Sequence, residues 1–175
     1  TNIKPLKIDK TPIEPFSLAE VQLFLSNVRE DFRDYYTVRF FTAMRTAEID
    51  GLKWQYVNLE RGEILVQETL VDGNVETPKT SASYRSIQLS QPVTEALKRQ
   101  FSLTGRLTYV FCNSKGKPLD HRNVTKRIWY PALTALNLKR RRPYQTRHTC
   151  ATLWLAAGES PEWIAKQMGH STTKM

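Results

Sequence analysis

Four basic side chains in this sequence combine the groups that chemistry on a phosphodiester requires. They are Arg45, Lys79, Arg147 and His170. The planar guanidinium of an arginine can bind two non-bridging phosphate oxygens at once, and it stays charged throughout a reaction. A lysine or a histidine can donate the proton that a leaving 5′-oxygen needs. Together these side chains would stabilise the pentavalent phosphorane that forms when a phosphate is attacked.

The sequence does not indicate metal-ion catalysis. It contains no paired Asp/Glu cluster and no Cys/His ligand spacing, so the positive charge at such a site would come from side chains. The two cysteines, Cys112 and Cys150, are expected to be buried free thiols in a reducing compartment. We therefore expect no metal and no other cofactor.

Arg45 stands at a corner between two predicted helices. The first covers about residues 34–42 and ends in apolar residues, which predicts burial, and Thr46 is a candidate N-cap for a short helix that ends near Gly51. An arginine held beside a core is costly unless an anion meets it. A structural ion pair between Arg45 and Glu48 accounts for this segment equally well.

The last third of the chain fixes the other arginine and the histidine. Pro143 opens a predicted helix that carries Tyr144 and Arg147 three residues apart, and therefore on one face. His148 is predicted to face the core with a hydrogen-bonded ring. A second short helix ends at Gly169, which places His170 at a fixed junction.

The predicted strands lie within residues 54–90. Residues 63–67 and 86–89 read as strands, and Asp-Gly at 72–73 is a hairpin turn signal. Lys79 is placed on a hairpin tip, where it could swing into a site or simply be solvated. The remaining patterns are helical, beginning with a capping box and continuing at about residues 92–100 and 120–137. We therefore expect a mainly α fold with a small antiparallel β-sheet, of the α+β class.

The charge balance favours a polyanionic partner. Lysine and arginine total 26 against 17 aspartate and glutamate, a formal net charge of +9, and each neutralised phosphate would release counterions. Residues 120–137 are predicted to form an amphipathic helix with a basic face suited to DNA, although a solvated face explains the pattern almost as well. The candidate DNA-binding residues are Arg122, Lys126, Arg127, Lys139, Arg140, Arg141 and Arg142.

Five short motifs, in order along the chain, carry a resemblance to a known family. They are Thr-Ala-Met-Arg-Thr-Ala-Glu at 42–48, Leu-Lys-Trp at 52–54, Thr-Pro-Lys-Thr at 77–80, Tyr-Gln-Thr-Arg-His at 144–148 and Met-Gly-His at 168–170. In content and spacing the sequence resembles the catalytic domain of the tyrosine recombinases, also called phage-type integrases. The resemblance covers nearly the whole chain.

The resemblance implies that DNA strands are broken and rejoined through a covalent 3′-phosphotyrosyl intermediate, without ATP or a metal. Arg45 and Arg147 would clamp the scissile phosphate, and Lys79 would protonate the 5′-leaving oxygen. His170 would hydrogen-bond the phosphate in the transition state, and Glu48 would support the Arg45 corner.

The sequence departs from the family pattern in three places. Ala43 replaces the glycine before the first arginine, and Tyr144 replaces a histidine or lysine. A phenol can still donate a hydrogen bond to phosphate, although it is a poor general base at neutral pH. The family's nucleophilic tyrosine should lie several residues beyond His170, so we expect a catalytic domain truncated before it at Met175, which binds DNA without cleaving it.

The resemblance also implies a domain organisation, partners and a location. Residues 1–15 would be a linker from an upstream DNA-binding domain, and residues 16–175 the truncated catalytic domain. The expected partner is double-stranded DNA at a recombination site, with self-association on DNA in the full-length protein and no membrane contact. The expected location is the cytoplasm of a bacterial cell, with a prophage or mobile element encoding the protein.

Two other functions fit the same residues, and so does a structural reading in which the chain is a basic helical scaffold. In a non-catalytic DNA-binding module, the arginines would only anchor the DNA backbone. In a type IB topoisomerase-like or resolvase-like relative, the same active site would serve a different outcome. Exchange of partner strands between two sites would separate a recombinase from such a relative.

Overall fold

The computed structural model describes residues 12–170, and the elements are given for that part of the chain. Its α-helices are α1 (Leu18–Asn27), α2 (Glu30–Thr42), α3 (Thr46–Asp50), α4 (Gln91–Thr104), α5 (His121–Val124), α6 (Tyr130–Ala135), α7 (Gln145–Ala156) and α8 (Pro161–Met168). Its strands are β1 (Val57–Asn58), β2 (Glu63–Val66), β3 (Thr69–Val71), β4 (Asn74–Glu76) and β5 (Arg85–Gln88). The mainly α fold with a small antiparallel sheet is therefore confirmed.

The strands form a three-stranded sheet and a separate hairpin. In the sheet, β2 pairs antiparallel with both β1 and β5, while β3 pairs with β4. Asp72 and Gly73 join β3 to β4 with φ angles of 48° and 79°, both in the left-handed region. This is the backbone that a two-residue hairpin turn requires, so the predicted Asp-Gly turn is confirmed.

An aromatic cluster holds the helical part of the fold together. Trp129 is fully buried, and its ring lies 5.0 Å from Phe24, 5.4 Å from Tyr36 and 5.7 Å from Phe16, measured between ring centroids. Phe16 packs edge-to-face against Trp129 and the other two rings are tilted against it, and aromatic pairs of this kind add about 0.5–1.5 kcal/mol each to the effect of burial. The cluster joins α1 and α2 to the helical stretch 121–135, so the segments that carry functional side chains extend from a rigid core.

Several predicted helix limits are corrected by the structure. The helix predicted at 34–42 begins at Glu30, and the one predicted at 120–137 is a helical stretch interrupted by a wider π turn (Thr125–Trp129). The helix predicted to open at Pro143 begins at Gln145, because Pro143 and Tyr144 form the turn that precedes it. The capping box that opens α1 is confirmed, with Ser17 and Glu20 each accepting from the backbone N–H of the other.

Residues 12–16 pack along α7. The side chain of Gln145 donates to the Pro12 carbonyl at 3.0 Å and accepts from the Glu14 N–H at 2.9 Å, and the Thr149 hydroxyl accepts from the Phe16 N–H at 2.9 Å. These bonds satisfy polar side chains that α7 buries. The rest of the predicted linker, residues 1–11, lies outside the described residues, as do residues 171–175 of the predicted catalytic domain.

None of the helices among residues 12–170 is both long enough and apolar enough to cross a bilayer.

Candidate active site

The Arg45 corner is set by the backbone on both sides of it. Helix α2 ends at Ala43 with a φ of 55°, in the left-handed region, and the buried Met44 follows. A glycine adopts this conformation without strain, which gives a physical reason for the glycine in the family motif. Arg45 then turns into α3 in an extended conformation, and its side chain is 36% exposed.

The Glu48 carboxylate bonds mainly to the Arg85 guanidinium and interacts only weakly with that of Arg45. Its two oxygens accept from Nη1 and Nη2 of Arg85 at 2.7 and 3.0 Å, whereas the nearest Arg45 guanidinium nitrogen lies 3.7 Å away. Glu48 also accepts from the backbone N–H of Arg45 at 2.8 Å. Burial would raise the pKa of Glu48, but its bonds to Arg85 hold that pKa below the ordinary value. The carboxylate is therefore charged, and it fixes the Arg45 backbone while leaving most of the Arg45 guanidinium free.

Arg147 is buried and held from two sides. Its side chain donates from Nη1 to the Ala43 carbonyl and from Nη2 to the Met168 carbonyl, both at 2.6 Å, and the residue is 1% exposed. Within residues 12–170 its Nε has no hydrogen-bond partner. Burial and the positive charge of Arg45 lower the pKa of Arg147 to about 10, so the guanidinium is still protonated at neutral pH. The result is a fixed charge with unused hydrogen-bonding capacity.

His170 follows the end of α8. Ser160 caps the start of this helix by accepting from the Trp163 N–H, and Gly169 ends it with a φ of 75°. The backbone N–H of His170 donates to the Ala165 carbonyl at 3.0 Å, which completes a Schellman motif. Desolvation, together with the charges of Arg147 and Arg45, lowers the pKa of His170 from its ordinary value. The predicted fixed junction is confirmed.

Lys79 does not lie on a hairpin tip, which corrects the prediction. The tip is at residues 72–73, and Lys79 follows β4, between the buried Pro78 and the 3₁₀ turn Ser81–Ser83. Its side chain is exposed and borders the same cleft as Arg45. A lysine in this place can approach a bound anion without displacing a neighbour.

Three of the four predicted side chains line one cleft, and the fourth lies behind it. The cleft has a volume of about 600 Å³ and is bordered by Arg45, Glu48, Lys79 and His170. Arg147 is bonded to the carbonyls of Ala43 and Met168, each of which lies two residues before a side chain of the cleft. The arrangement provides one concave site with converging positive charge, as the binding of a phosphate requires.

The structure places Tyr144 and His148 away from this cleft. Tyr144 is 46% exposed and lines a neighbouring groove, with its ring against that of His148 at a centroid distance of 5.2 Å. The prediction that His148 faces the core is wrong. The buried face of α7 instead carries Gln145, Thr146, Arg147, Thr149 and Cys150. Tyr144 and Arg147, which are expected to share a face, differ in burial, since Tyr144 is 46% exposed and Arg147 is 1% exposed.

The neighbouring groove is basic. Its volume is about 640 Å³, and among the residues that line it are Arg122, Lys126, Arg140, Arg142 and Tyr144. The Arg140 guanidinium lies 3.6 Å from the centroid of the Tyr130 ring, a cation–π contact that holds this charge in the groove. Arg127 is exposed, but it does not line this groove.

Arg141 and Lys139, two of the candidate DNA-binding residues, pair with acidic side chains of residues 14–20. Arg141 has a side chain only 9% exposed, donates to Glu20 at 3.2 and 3.4 Å and lies over the Phe16 ring at 4.1 Å. Its assignment to a DNA-binding face is therefore corrected, because the guanidinium binds the start of α1. Lys139 forms an ion pair with Glu14 at 2.9 Å, with its side chain still 64% exposed.

Two buried arginines beside the site, Arg85 and Arg39, are not among the residues predicted from the sequence. Arg39 donates to the Thr46 hydroxyl at 2.8 Å and to the Pro143 carbonyl at 3.2 Å. Arg85 begins β5, in the alternating pattern that also buries Ile87. That alternation is a signal that the sequence does contain, since an arginine in phase with a buried isoleucine faces the core and needs an acidic partner.

Comparison with known proteins identifies the family of this chain. A sequence model described as the phage integrase family matches residues 17–175. The chain belongs to the phage integrase family. Among integrases of this family, Prophage integrase IntR of Escherichia coli (strain K12) is 31% identical over 99% of this chain and 48% of its own length. The ICEBs1 integrase of Bacillus subtilis (strain 168) is 28% identical over 99% of this chain and 51% of its own length.

Solved structures of integrases and recombinases share the fold. The Tn1549 transposon integrase, in a complex with circular intermediate DNA, superposes with a TM-score of 0.83 at 23% identity, covering 95% of this chain and 62% of that one. The XerA recombinase gives a TM-score of 0.77 at 20% identity, covering 97% and 59%. The chain thus spans about half the length of the relatives it matches in sequence. The expected family and fold are confirmed.

Proposed function

We propose that the protein containing this chain cleaves and rejoins DNA strands at specific sites, through a covalent 3′-phosphotyrosyl intermediate. The observation that carries this proposal is the cleft in which Arg45, Lys79 and His170 converge in front of the buried Arg147. The names of the relatives support it, since they are Prophage integrase IntR and the ICEBs1 integrase. The Tn1549 integrase, of the same fold, was solved with DNA.

Each side chain has a distinct role in the proposed reaction. Arg45 and Arg147 bind the non-bridging oxygens of the scissile phosphate, and their charge stabilises the pentavalent transition state. Lys79 donates a proton to the 5′-oxygen as its bond to phosphorus breaks. His170 donates a hydrogen bond to the phosphate, and Glu48 holds the Arg45 backbone in place through the N–H bond at 2.8 Å.

The attacking group is proposed to be a tyrosine that follows His170 in the protein. Among residues 12–170, no tyrosine lines the cleft. Tyr144, in the neighbouring groove, is proposed to contact the DNA next to the scissile phosphate and not to attack it. The phosphotyrosyl bond would conserve the energy of the phosphodiester, so the rejoining step would be the reverse of the first.

The basic groove is proposed to bind the flanking DNA backbone. Arg122, Lys126, Arg140 and Arg142 line it, and exposed cations bind phosphates with a strong dependence on salt. We further propose that the complete protein associates with itself on DNA and acts in the cytoplasm of a bacterium that carries the mobile element.

The proposal is tested with the complete gene product that carries this chain. It would be incubated with a duplex that spans an element end and carries a nick, so that a short 5′-hydroxyl strand diffuses away after cleavage. We expect a covalent protein–DNA adduct that survives denaturation and disappears on proteolysis. The matched control is Arg29→Ala, since the Arg29 side chain is exposed and contacts only its neighbours Asp31 and Phe32. It should form the adduct at the normal rate, and Arg45→Ala should not.

Other outcomes would point to the alternative functions. Tight binding to the duplex with no adduct would contradict the proposal and favour a non-catalytic DNA-binding module. An adduct together with relaxation of supercoiled DNA, but with no exchange of strands between two sites, would favour a topoisomerase-like enzyme.

A further inference from the structure

Arg85 is the most highly connected charged side chain beside the cleft. It opens β5, and its side chain is 3% exposed. Its guanidinium donates to both oxygens of Glu48, to the Ser83 carbonyl at 3.0 Å and to the Gln167 carbonyl at 2.6 Å. A buried guanidinium with this many short bonds is fixed in position.

The partners of Arg85 belong to the three segments that carry the exposed charges of the cleft. Glu48 lies on α3, the helix that begins directly after Arg45. Ser83 ends the 3₁₀ turn that follows Lys79, and Gln167 lies in the last turn of α8, before His170. The Arg85 guanidinium thus bonds to all three segments that carry Arg45, Lys79 and His170.

Arg85 also competes with Arg45 for the same carboxylate. Glu48 is 2.7 Å from Arg85 and 3.7 Å from the guanidinium of Arg45, so Arg85 has the better geometry. If Arg85 were absent, the buried Glu48 charge would be left with Arg45 as its nearest cation. A buried carboxylate without a partner is strongly disfavoured, which would draw the Arg45 guanidinium onto Glu48. Arg45 would then be neutralised and less available to an incoming phosphate.

We propose that Arg85 is a positioning residue of this site. Its bonds to both oxygens of Glu48 neutralise that carboxylate, so that the Arg45 guanidinium remains free to bind the phosphate. The proposal rests on the proposed function of the cleft as a phosphate site. It assigns to Arg85 a role in anion affinity through Glu48, in addition to its contribution to the stability of the fold.

Gly169 packs so closely against the Arg85 guanidinium that the position has no room for a side chain. A Cβ on Gly169 would lie 2.9 Å from Nη1 and 3.1 Å from Cζ of Arg85, and the φ of 75° already disfavours any other residue. The α8 terminus therefore passes so close to Arg85 that a side chain would displace the guanidinium. This close approach links the position of His170, the next residue, to Arg85.

The test measures the binding of inorganic phosphate to this chain, since phosphate is the shared part of any DNA ligand. The side-chain Nε–Hε signal of Arg45 would be followed by NMR as phosphate is added. The variants are Arg85→Met, Glu48→Gln and the double variant with both changes. Thermal unfolding of each variant would report stability separately, and we expect the double variant to be more stable than Arg85→Met, because no unpaired charge stays buried.

We expect Arg85→Met to weaken phosphate binding by about tenfold or more, the size of effect that follows the loss of one hydrogen bond to a charged group. The double variant should bind phosphate within about threefold of Glu48→Gln alone, because Arg85 has no carboxylate to occupy once Glu48 is neutral. This second comparison also serves if Arg85→Met by itself does not fold.

Two results would overturn the proposal. In the first, folded Arg85→Met binds phosphate as tightly as the unchanged chain. In the second, the double variant binds about tenfold more weakly than Glu48→Gln, so that Arg85 acts independently of Glu48. If the unchanged chain shows no phosphate-dependent shift of Arg45 at all, the proposed function of the cleft fails as well, which distinguishes the two failures.

Discussion

The cleft and the basic groove lie side by side, yet the arginine buried behind the cleft is held differently from the arginines that line the groove. Behind the cleft, Arg147 is 1% exposed and bonded to two carbonyls. In the groove, Arg122 has a side chain 82% exposed, and its nearest acidic partner, Asp72, lies at the 4.0 Å limit of an ion pair. The first charge is fixed before any ligand arrives, whereas the second is free to move.

This difference indicates different uses for the same residue type. Fixed charges in a desolvated site need little rearrangement when negative charge develops, so they can act on a transition state. Exposed charges are screened by salt and interact with any phosphate that comes near, so they contribute to affinity and little to rate. Substitutions in the cleft should therefore change the rate of cleavage, and substitutions in the groove should change DNA binding.

The largest effect is expected at Arg147. In the complete protein, Arg147→Lys should lower the single-turnover rate of strand cleavage by about 10²–10³-fold, because an ammonium group cannot bind two carbonyls and also present a fork to phosphate. Arg29→Lys is the matched control on the surface. DNA binding should change much less than the rate. A cleavage rate within about threefold of normal, in a variant that circular dichroism shows to be folded, would contradict the assigned role.

Lys79→Met should also lower the cleavage rate by about 10²-fold or more, because the leaving 5′-oxygen would lose its proton donor. A substrate with sulfur in place of that oxygen needs no such proton, so its cleavage should be nearly normal in the variant. Lys115→Met, at an exposed turn lysine, is the control and should cleave both substrates normally. Equal losses on the oxygen and sulfur substrates would show that Lys79 is not the acid.

In the groove, the effect should appear as a change in salt dependence. Removing Arg140 and Arg142 together by alanine substitution should reduce the slope of log affinity against log salt by about 0.9 for each DNA phosphate that is no longer neutralised, measured on duplex DNA. Arg141→Ala is the matched control from the same basic run. It should leave the slope unchanged and lower the free energy of unfolding by about 1–2 kcal/mol, because the bonds to Glu20 and the packing on the Phe16 ring are removed. An equal change in slope for all three positions would contradict the assignment of Arg140 and Arg142, but not Arg141, to the DNA-binding groove.

The smallest effect concerns pH. Desolvation and the charge of Arg147 lower the pKa of His148, and desolvation with the charges of Arg147 and Arg45 lowers that of His170. The unfolded chain therefore binds more protons than the folded chain just below the ordinary histidine pKa, so stability should fall as the pH drops through about 6.5. Chemical unfolding at several pH values would measure this slope, and His148→Gln should reduce it. Stability that rises on acidification across that window would refute the assignment.

Local signals in the sequence predicted the backbone of the site well. The Asp-Gly turn, the capping box at Ser17 and the end of α8 at Gly169 each depend on neighbours within a few residues, and all are as predicted. The corner at Arg45 is also where the pattern placed it. Because short-range signals of this kind set the backbone around the charges, much of the cleft could be predicted from the sequence.

What the sequence did not reveal depends on partners far along the chain. Arg85 meets Glu48 37 residues away and Gln167 82 residues away, and no local pattern records such pairs. The sequence pattern favours a core-facing His148 because its stripe on α7 is more apolar, but α7 buries its polar stripe instead. The polar face of α7 can be buried because residues 12–16 supply hydrogen-bond partners for Gln145 and Thr149.

The most direct test of the convergence of the four side chains is a crystal structure of this chain with orthovanadate, which can expand from a tetrahedron to the trigonal bipyramid of the phosphoryl transition state when it gains an apical ligand. We predict vanadate in the cleft, with its oxygens within hydrogen-bond distance of Arg45, Arg147 and His170 and with Lys79 turned toward an apical oxygen. Vanadate bound only in the groove at Arg140 and Arg142, with the cleft empty, would contradict this convergence.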